Sequence, residues 1–161
     1  MSLGFNHLIV RIRNEMIEID RTLKRSEEGL KRALNNGDDY YLDGAALNLH
    51  GFYSGLERIF ELIAIHVDDE LPKGENWHQM LLKQMSEEIA NIRPAVISDS
   101  VRQGLDEYRG FRHIVRNVYT YQFDPKRITQ LVNKVRPLFT QLRAELLAFS
   151  NFLEINDGEE S

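Results

Sequence analysis

The chain contains no cysteine, so it has no disulfide framework, no thiolate metal site and no thiol nucleophile. A reducing compartment fits this composition, and a cytoplasmic location is expected. Also missing is any run approaching the roughly 20 apolar residues that cross a bilayer. Met1 to Arg13 has no apolar stretch leading to a small-residue cleavage site, so neither a membrane span nor a secretory signal is expected. There is no glycine-rich phosphate loop and no Gly-x-Ser-x-Gly nucleophile motif, which argues against a nucleoside triphosphatase and a serine hydrolase. Strand-type alternation between turn residues is scarce. Net charge is −5, which disfavours sequence-independent adhesion to nucleic acid over the whole surface; any RNA contact must be local.

What the chain does have is apolar spacing of helical period almost throughout, and the expected class is all-α. A first helix is predicted from about Gly4 to Leu34, with Leu8, Ile12, Met16, Ile19, Leu23, Leu30 and Leu34 in its stripe, stopping at Asn35-Asn36-Gly37. The second runs from about Asp39 to Val67 and buries Leu42, Ala46, Leu49, Tyr53, Leu56, Phe60 and Ile63. Within it, Gly51-x-x-x-Gly55 serves either core packing or a dimer seam. Asn76 is placed to cap a third helix reaching about Ile89, with Trp77 as its packing anchor, and Ser98 or Asp99 to cap a fourth ending near Tyr119. Asp124-Pro125 opens the fifth, which Pro137 is expected to kink. Short connections between about five helices favour an antiparallel up-and-down bundle. The 161 residues, 42% of them hydrophobic, suffice for one core, taken as a single domain over 1–153 with a flexible acidic tail over 154–161.

One segment reverses the charge of the chain. From Tyr108 to Phe123 there is no acidic residue, while Arg109, Arg112, His113 and Arg116 are all present. At about 100° per residue, Arg109, Arg112, Arg116 and Tyr119 share one arc, and Phe111, Ile114, Val115 and Val118 take the opposite one. Guanidinium groups bind phosphate through paired hydrogen bonds, and Tyr119 and Tyr121 offer rings that stack on bases. Equally compatible with the spacing are ordinary surface ion pairs, with Asp106 or Glu107 among the partners.

The run Arg112-His113-Ile114-Val115-Arg116-Asn117-Val118-Tyr119 resembles the motif of HEPN domains, in particular the HepT-like branch. That motif has an arginine, a polar residue, then a histidine four to six positions after the arginine, often with tyrosine two further on. Here Asn117 stands in the histidine slot. The resemblance implies a symmetric homodimer whose fourth helices meet at a cleft, a nucleotidyltransferase as partner protein, and RNA cleavage needing neither metal nor cofactor. It assigns Arg112 to the phosphate and Asn117 and Tyr119 to the catalytic cleft; the charge and stacking of the segment itself make Arg109, Arg116 and Tyr121 the candidates for RNA contact. An amide does not exchange protons near neutral pH, so His113, about 40° round the helix, is the candidate substitute for Asn117. The implied function is an RNA- or nucleotide-binding dimer of a prokaryotic toxin-antitoxin or defence system, with endoribonuclease activity. The alternatives are a HEPN scaffold whose catalysis has lapsed, and a helical interaction module with no RNA role.

Glu75-x-x-His78 has the spacing of a di-iron bundle ligand pair, but such sites need two of these motifs and further glutamates, so no metal is expected. His7, His50 and His66 are dispersed and are read as ordinary satisfied side chains.

Overall fold

Helices α1 (Asn6–Asn36) and α2 (Asp39–Ile63) form an antiparallel hairpin in the computed structural model, which describes residues 4–119 and 122–159. The connection is tight because Gly37 closes α1 in the left-handed region, at φ 61°, a conformation costly to any residue with a Cβ. Asp38 then caps α2, its Oδ1 accepting from the Tyr40 amide at 3.0 Å. Partners along the hairpin run in opposite directions: Ser26 Oγ donates to the Ala45 carbonyl, Thr22 faces Gly51, Ile19 faces Gly55, and Glu15 pairs with Arg58. A Cβ on Gly55 would stand 2.6 Å from Ile19 Cγ1, so the Gly51-x-x-x-Gly55 spacing is used inside the chain to bring two helices together.

The apolar stripes expected of both helices are buried, apart from Leu34, which is 67% exposed. Periodicity continues to Leu34, but no partner covers the last turn of α1. After Ile63 the helix widens into a π-helical turn, Ala64–Asp68, ending at Asp69 with φ 55°. Helix α3 (Trp77–Met85) is shorter than its sequence suggests. Beyond it, Arg93 takes the carbonyls of Gln84 and Glu87 with its own guanidinium, occupying acceptors that a longer helix would use.

Helix α4 (Asp99–Asn117) is capped by Ser98, whose Oγ accepts from the Val101 amide at 3.3 Å. Ser98 is itself held by Glu145 of α5 (Pro125–Glu159), at 2.6 Å from its amide and 2.9 Å from its hydroxyl. Helix α5 continues through Pro137 without a break and runs antiparallel to α4: Tyr108 donates to the Leu131 carbonyl at 2.6 Å, and Gly104 lies against Leu138. It also runs antiparallel to α1, joined by Arg136 to Asp20 and Glu27 and by Asp157 to the Phe5 amide. The result is the expected all-α helical bundle, with α2 in contact with each of the other four helices. One continuous apolar core extends from Leu8 to Leu153. Among the described residues no helix is long and apolar enough to cross a membrane.

Candidate functional site

The acid-free segment forms the second half of α4, and its polar side faces the start of α3. Between them lies a cleft of about 530 Å³, lined by Glu75 and His78 from α3 and its approach, and by Arg109, Arg112, His113 and Asn117 from α4. Arg116 also lines it, and is exposed with no ion pair or hydrogen bond among the described residues. Helix α4 ends at Asn117, because Val118 turns to extended backbone (φ −128°, ψ 156°). Tyr119 is therefore not on the arginine arc; it lies past the helix and is 72% exposed. Tyr121 lies outside the described residues. Ile114 and Val118, expected on the apolar side, are 42% and 37% exposed, since no described element covers them.

The arginines differ in what holds them. Arg109 is paired with Asp106 one turn earlier, at 2.7 Å, so for this residue the ordinary ion-pair reading of the sequence holds. Arg112 is mostly enclosed. Its Nη1 stands 3.9 Å from Glu57 Oε1 and 3.4 to 3.5 Å from the two ring nitrogens of His78, while its Nε is buried without a partner. A guanidinium backed by a carboxylate on one side and open to a cleft on the other is placed to receive an anion.

Behind Arg112 is a pair that the sequence did not mark. Glu57 of α2 is 4% exposed, and its Oε2 accepts from His78 Nδ1 at 2.7 Å. Trp77 stacks on the His78 ring with centroids 3.6 Å apart and planes tilted by 31°. The imidazole is thus fixed by a carboxylate at one edge and an indole on one face. Glu61, one turn further along α2, has its carboxyl pushed up by burial and by the nearby Glu57 carboxylate. The sequence signal for Glu57 was its register: it follows Tyr53 by four and precedes Phe60 by three, so it occupies the buried stripe. A carboxylate there needs partners.

Asn117 turns its amide back onto its own helix, donating from Nδ2 to the His113 carbonyl at 2.7 Å, with His113 Nδ1 3.3 Å away. That carbonyl lies four residues back, inside the helix, so the side chain folds onto its own helix. His113 is exposed, and no carboxylate pairs with it among the described residues. The larger groove between α1 and α5, about 840 Å³, also carries cations; Lys24 and Arg136 there are neutralised by Asp20 and Glu27 and Arg21 by Glu18, while Arg13 and Arg143 have no ion pair among the described residues.

His50 is not satisfied as expected: its Nε2 is buried without a partner. Burial, then the positive charges of Arg112 and Arg116, hold its pKa below the usual 6.5. The unfolded chain takes up this proton from about pH 6.5 downward while the folded chain resists it, so stability falls as pH drops below that value. Melting temperature measured from pH 7.5 to 5 is expected to decline less steeply in His50→Gln than in the parent. Parallel curves would mean that His50 titrates alike in both states.

Comparison with known proteins places this site in a wider setting. A family model described as HepT-like protein matches residues 44–153, a span that takes in Glu57, His78, Arg112 and Asn117 and leaves out α1. No curated protein and no solved structure matches the chain.

Proposed function

Because this chain belongs to the HepT-like family, we propose that it serves a prokaryotic toxin-antitoxin or defence system as a homodimer that binds RNA or nucleotide in the α3–α4 cleft. We further propose that it cleaves RNA there as a metal-independent endoribonuclease. The observation that carries the binding role is Arg112, held by buried Glu57 with its guanidinium turned to a cleft that Arg116 also lines. In a chain of net charge −5, a local basic cleft selects a phosphate-bearing ligand over general adhesion. The exposed Ile114 and Val118 support self-association along α4, since an apolar edge there is covered when two copies meet. A nucleotidyltransferase is the partner protein this reading supplies.

The second reading is a lapsed enzyme acting as a scaffold, and Asn117 favours it. Its amide bonds the His113 carbonyl and has no proton to exchange near neutral pH.

The test is incubation of the purified protein with mixed single-stranded RNA in chelator, beside Arg112→Ala. The nuclease reading expects fragments that disappear in the variant. RNA affinity is expected to fall about tenfold to hundredfold, the worth of one charge-assisted contact, with a salt slope reduced by about one. Weaker binding with no fragments from either protein points to the scaffold. Binding indifferent to Arg112 rejects the cleft as an RNA site.

A further inference from the structure

The cleft contains a better-placed proton acceptor than any residue of the arginine motif. Resting on the RNA-cleaving reading above, we propose that His78 is the general base of the cleft, oriented by Glu57 as its positioning residue. Three observations carry this. The Glu57 carboxylate accepts from Nδ1 at 2.7 Å, which places the ring proton on Nδ1 and the lone pair on Nε2, the arrangement by which a buried carboxylate orients a catalytic imidazole. Arg112 Nη1 is nearly equidistant from the two ring nitrogens, 3.5 Å from Nδ1 and 3.4 Å from Nε2. A donor lying along the Nε2 lone pair would be much farther from Nδ1, so the guanidinium sits beside the ring and leaves that lone pair open. Finally, His78 and Arg112 line the same cleft, whose volume lies within the roughly 300–1,000 Å³ typical of small-ligand pockets.

The reaction follows from these positions. His78 Nε2 takes the proton of a ribose 2′-hydroxyl, and the 2′-oxygen attacks the adjacent phosphorus. Arg112 offsets the charge gathering on the phosphoryl oxygens. The bond from phosphorus to the 5′-oxygen breaks, and that oxygen takes a proton from water in the open cleft. His78 returns its proton to the hydroxide so formed. The products are a 2′,3′-cyclic phosphate and a 5′-hydroxyl, with no net change in protons. Asn117 then has no proton to transfer and keeps its amide on the His113 carbonyl. His113 lacks the carboxylate that orients His78, and its Nδ1 faces the Asn117 amide.

The experiment uses the full chain and a labelled single-stranded RNA of mixed sequence in chelator, reading Kd, cleavage rate and end chemistry. Wild type is expected to produce 2′,3′-cyclic phosphate ends. His78→Ala should cut the rate about 10²- to 10⁴-fold, the usual worth of a general base, with RNA affinity little changed and with partial recovery on adding imidazole. Glu57→Gln, which keeps the side-chain shape, should lower kcat in the parent and have no further effect in a His78→Ala background, a non-additivity that a loss of folded protein, which scales kcat in either background, would not give. Undiminished cleavage by both variants, or a loss seen in His113→Ala and absent from His78→Ala, overturns the assignment. Arg112-dependent binding with no cleavage by wild type overturns it too and leaves the binding role standing. If binding itself ignores Arg112, the cleft reading fails first.

Discussion

Arg93→Ala is expected to destabilise the protein by about 3–5 kcal/mol, the usual cost of removing one partner from a buried ion pair. The Arg93 side chain is 0% exposed and that of Asp68 1%. Their contact is two-pronged, 2.5 Å from Nε to Oδ1 and 2.9 Å from Nη2 to Oδ2, and the guanidinium also donates to the carbonyls of Glu87, Pro94 and Gln84. Without Arg93, Asp68 keeps a buried charge satisfied only in part by Gln84 Nε2 at 2.8 Å, and the Glu87 and Pro94 carbonyls lose their donor while that of Gln84 keeps the Glu87 amide at 3.2 Å. Removing both charges together, as in Arg93→Met with Asp68→Leu, is expected to recover only part of the loss, because the Glu87 and Pro94 carbonyls remain unpaired. Urea unfolding of the single and double variants measures both quantities. A single-variant loss below about 1 kcal/mol would mean that water reaches Asp68 and solvates it. Because Arg93 ties the end of α3 to the turn after α2, its loss also slackens the helix that carries His78.

Phe52→Ala is expected to cost about 3–5 kcal/mol by a different route, loss of buried surface together with the cavity left behind. Phe52 is 0% exposed. It meets Tyr108 of α4 edge-on at 5.8 Å and Phe139 of α5 at 6.1 Å, so one ring from the central helix fixes two others. Each such aromatic pair contributes about 0.5–1.5 kcal/mol beyond area alone. Phe52→Leu retains most of the volume and should lose markedly less. Equal losses in the two variants would show that the ring geometry, and not the filled space, sets the cost. Chemical denaturation provides both numbers, and the near-ultraviolet circular dichroism of Tyr108 reports whether α4 has shifted.

How far the sequence carries is visible at particular residues. The stripes of α1, α2 and α5 were legible because burial on one side of a helix imposes a period on side-chain type, and Ile12, Leu56 and Leu142 stand where that period puts them, fully buried. Gly37 and Ser98 were legible as helix ends because their chemistry is local. The end of α3 was not, because it is set by Arg93, a residue beyond it in the chain whose guanidinium takes the helix's carbonyls. The end of α4 was overrun because apolar and aromatic residues continue past Asn117 in helical register, while the backbone turns extended at Val118.

At the site the division is sharper. The sequence alone determined that this is an all-α bundle with a basic, acid-free half-helix, because helical period and charge are properties of neighbouring residues. Only the tertiary structure decided which cations are free to act. It enclosed Arg112, left Arg116 open, and set His78 against Glu57 across 21 positions of chain, whereas the pairing of Arg109 with Asp106 is a local contact within α4. A buried carboxylate and the imidazole it orients are brought together by the packing of α3 on α2, and no pattern along the chain records a contact that exists only after both helices have found the same core.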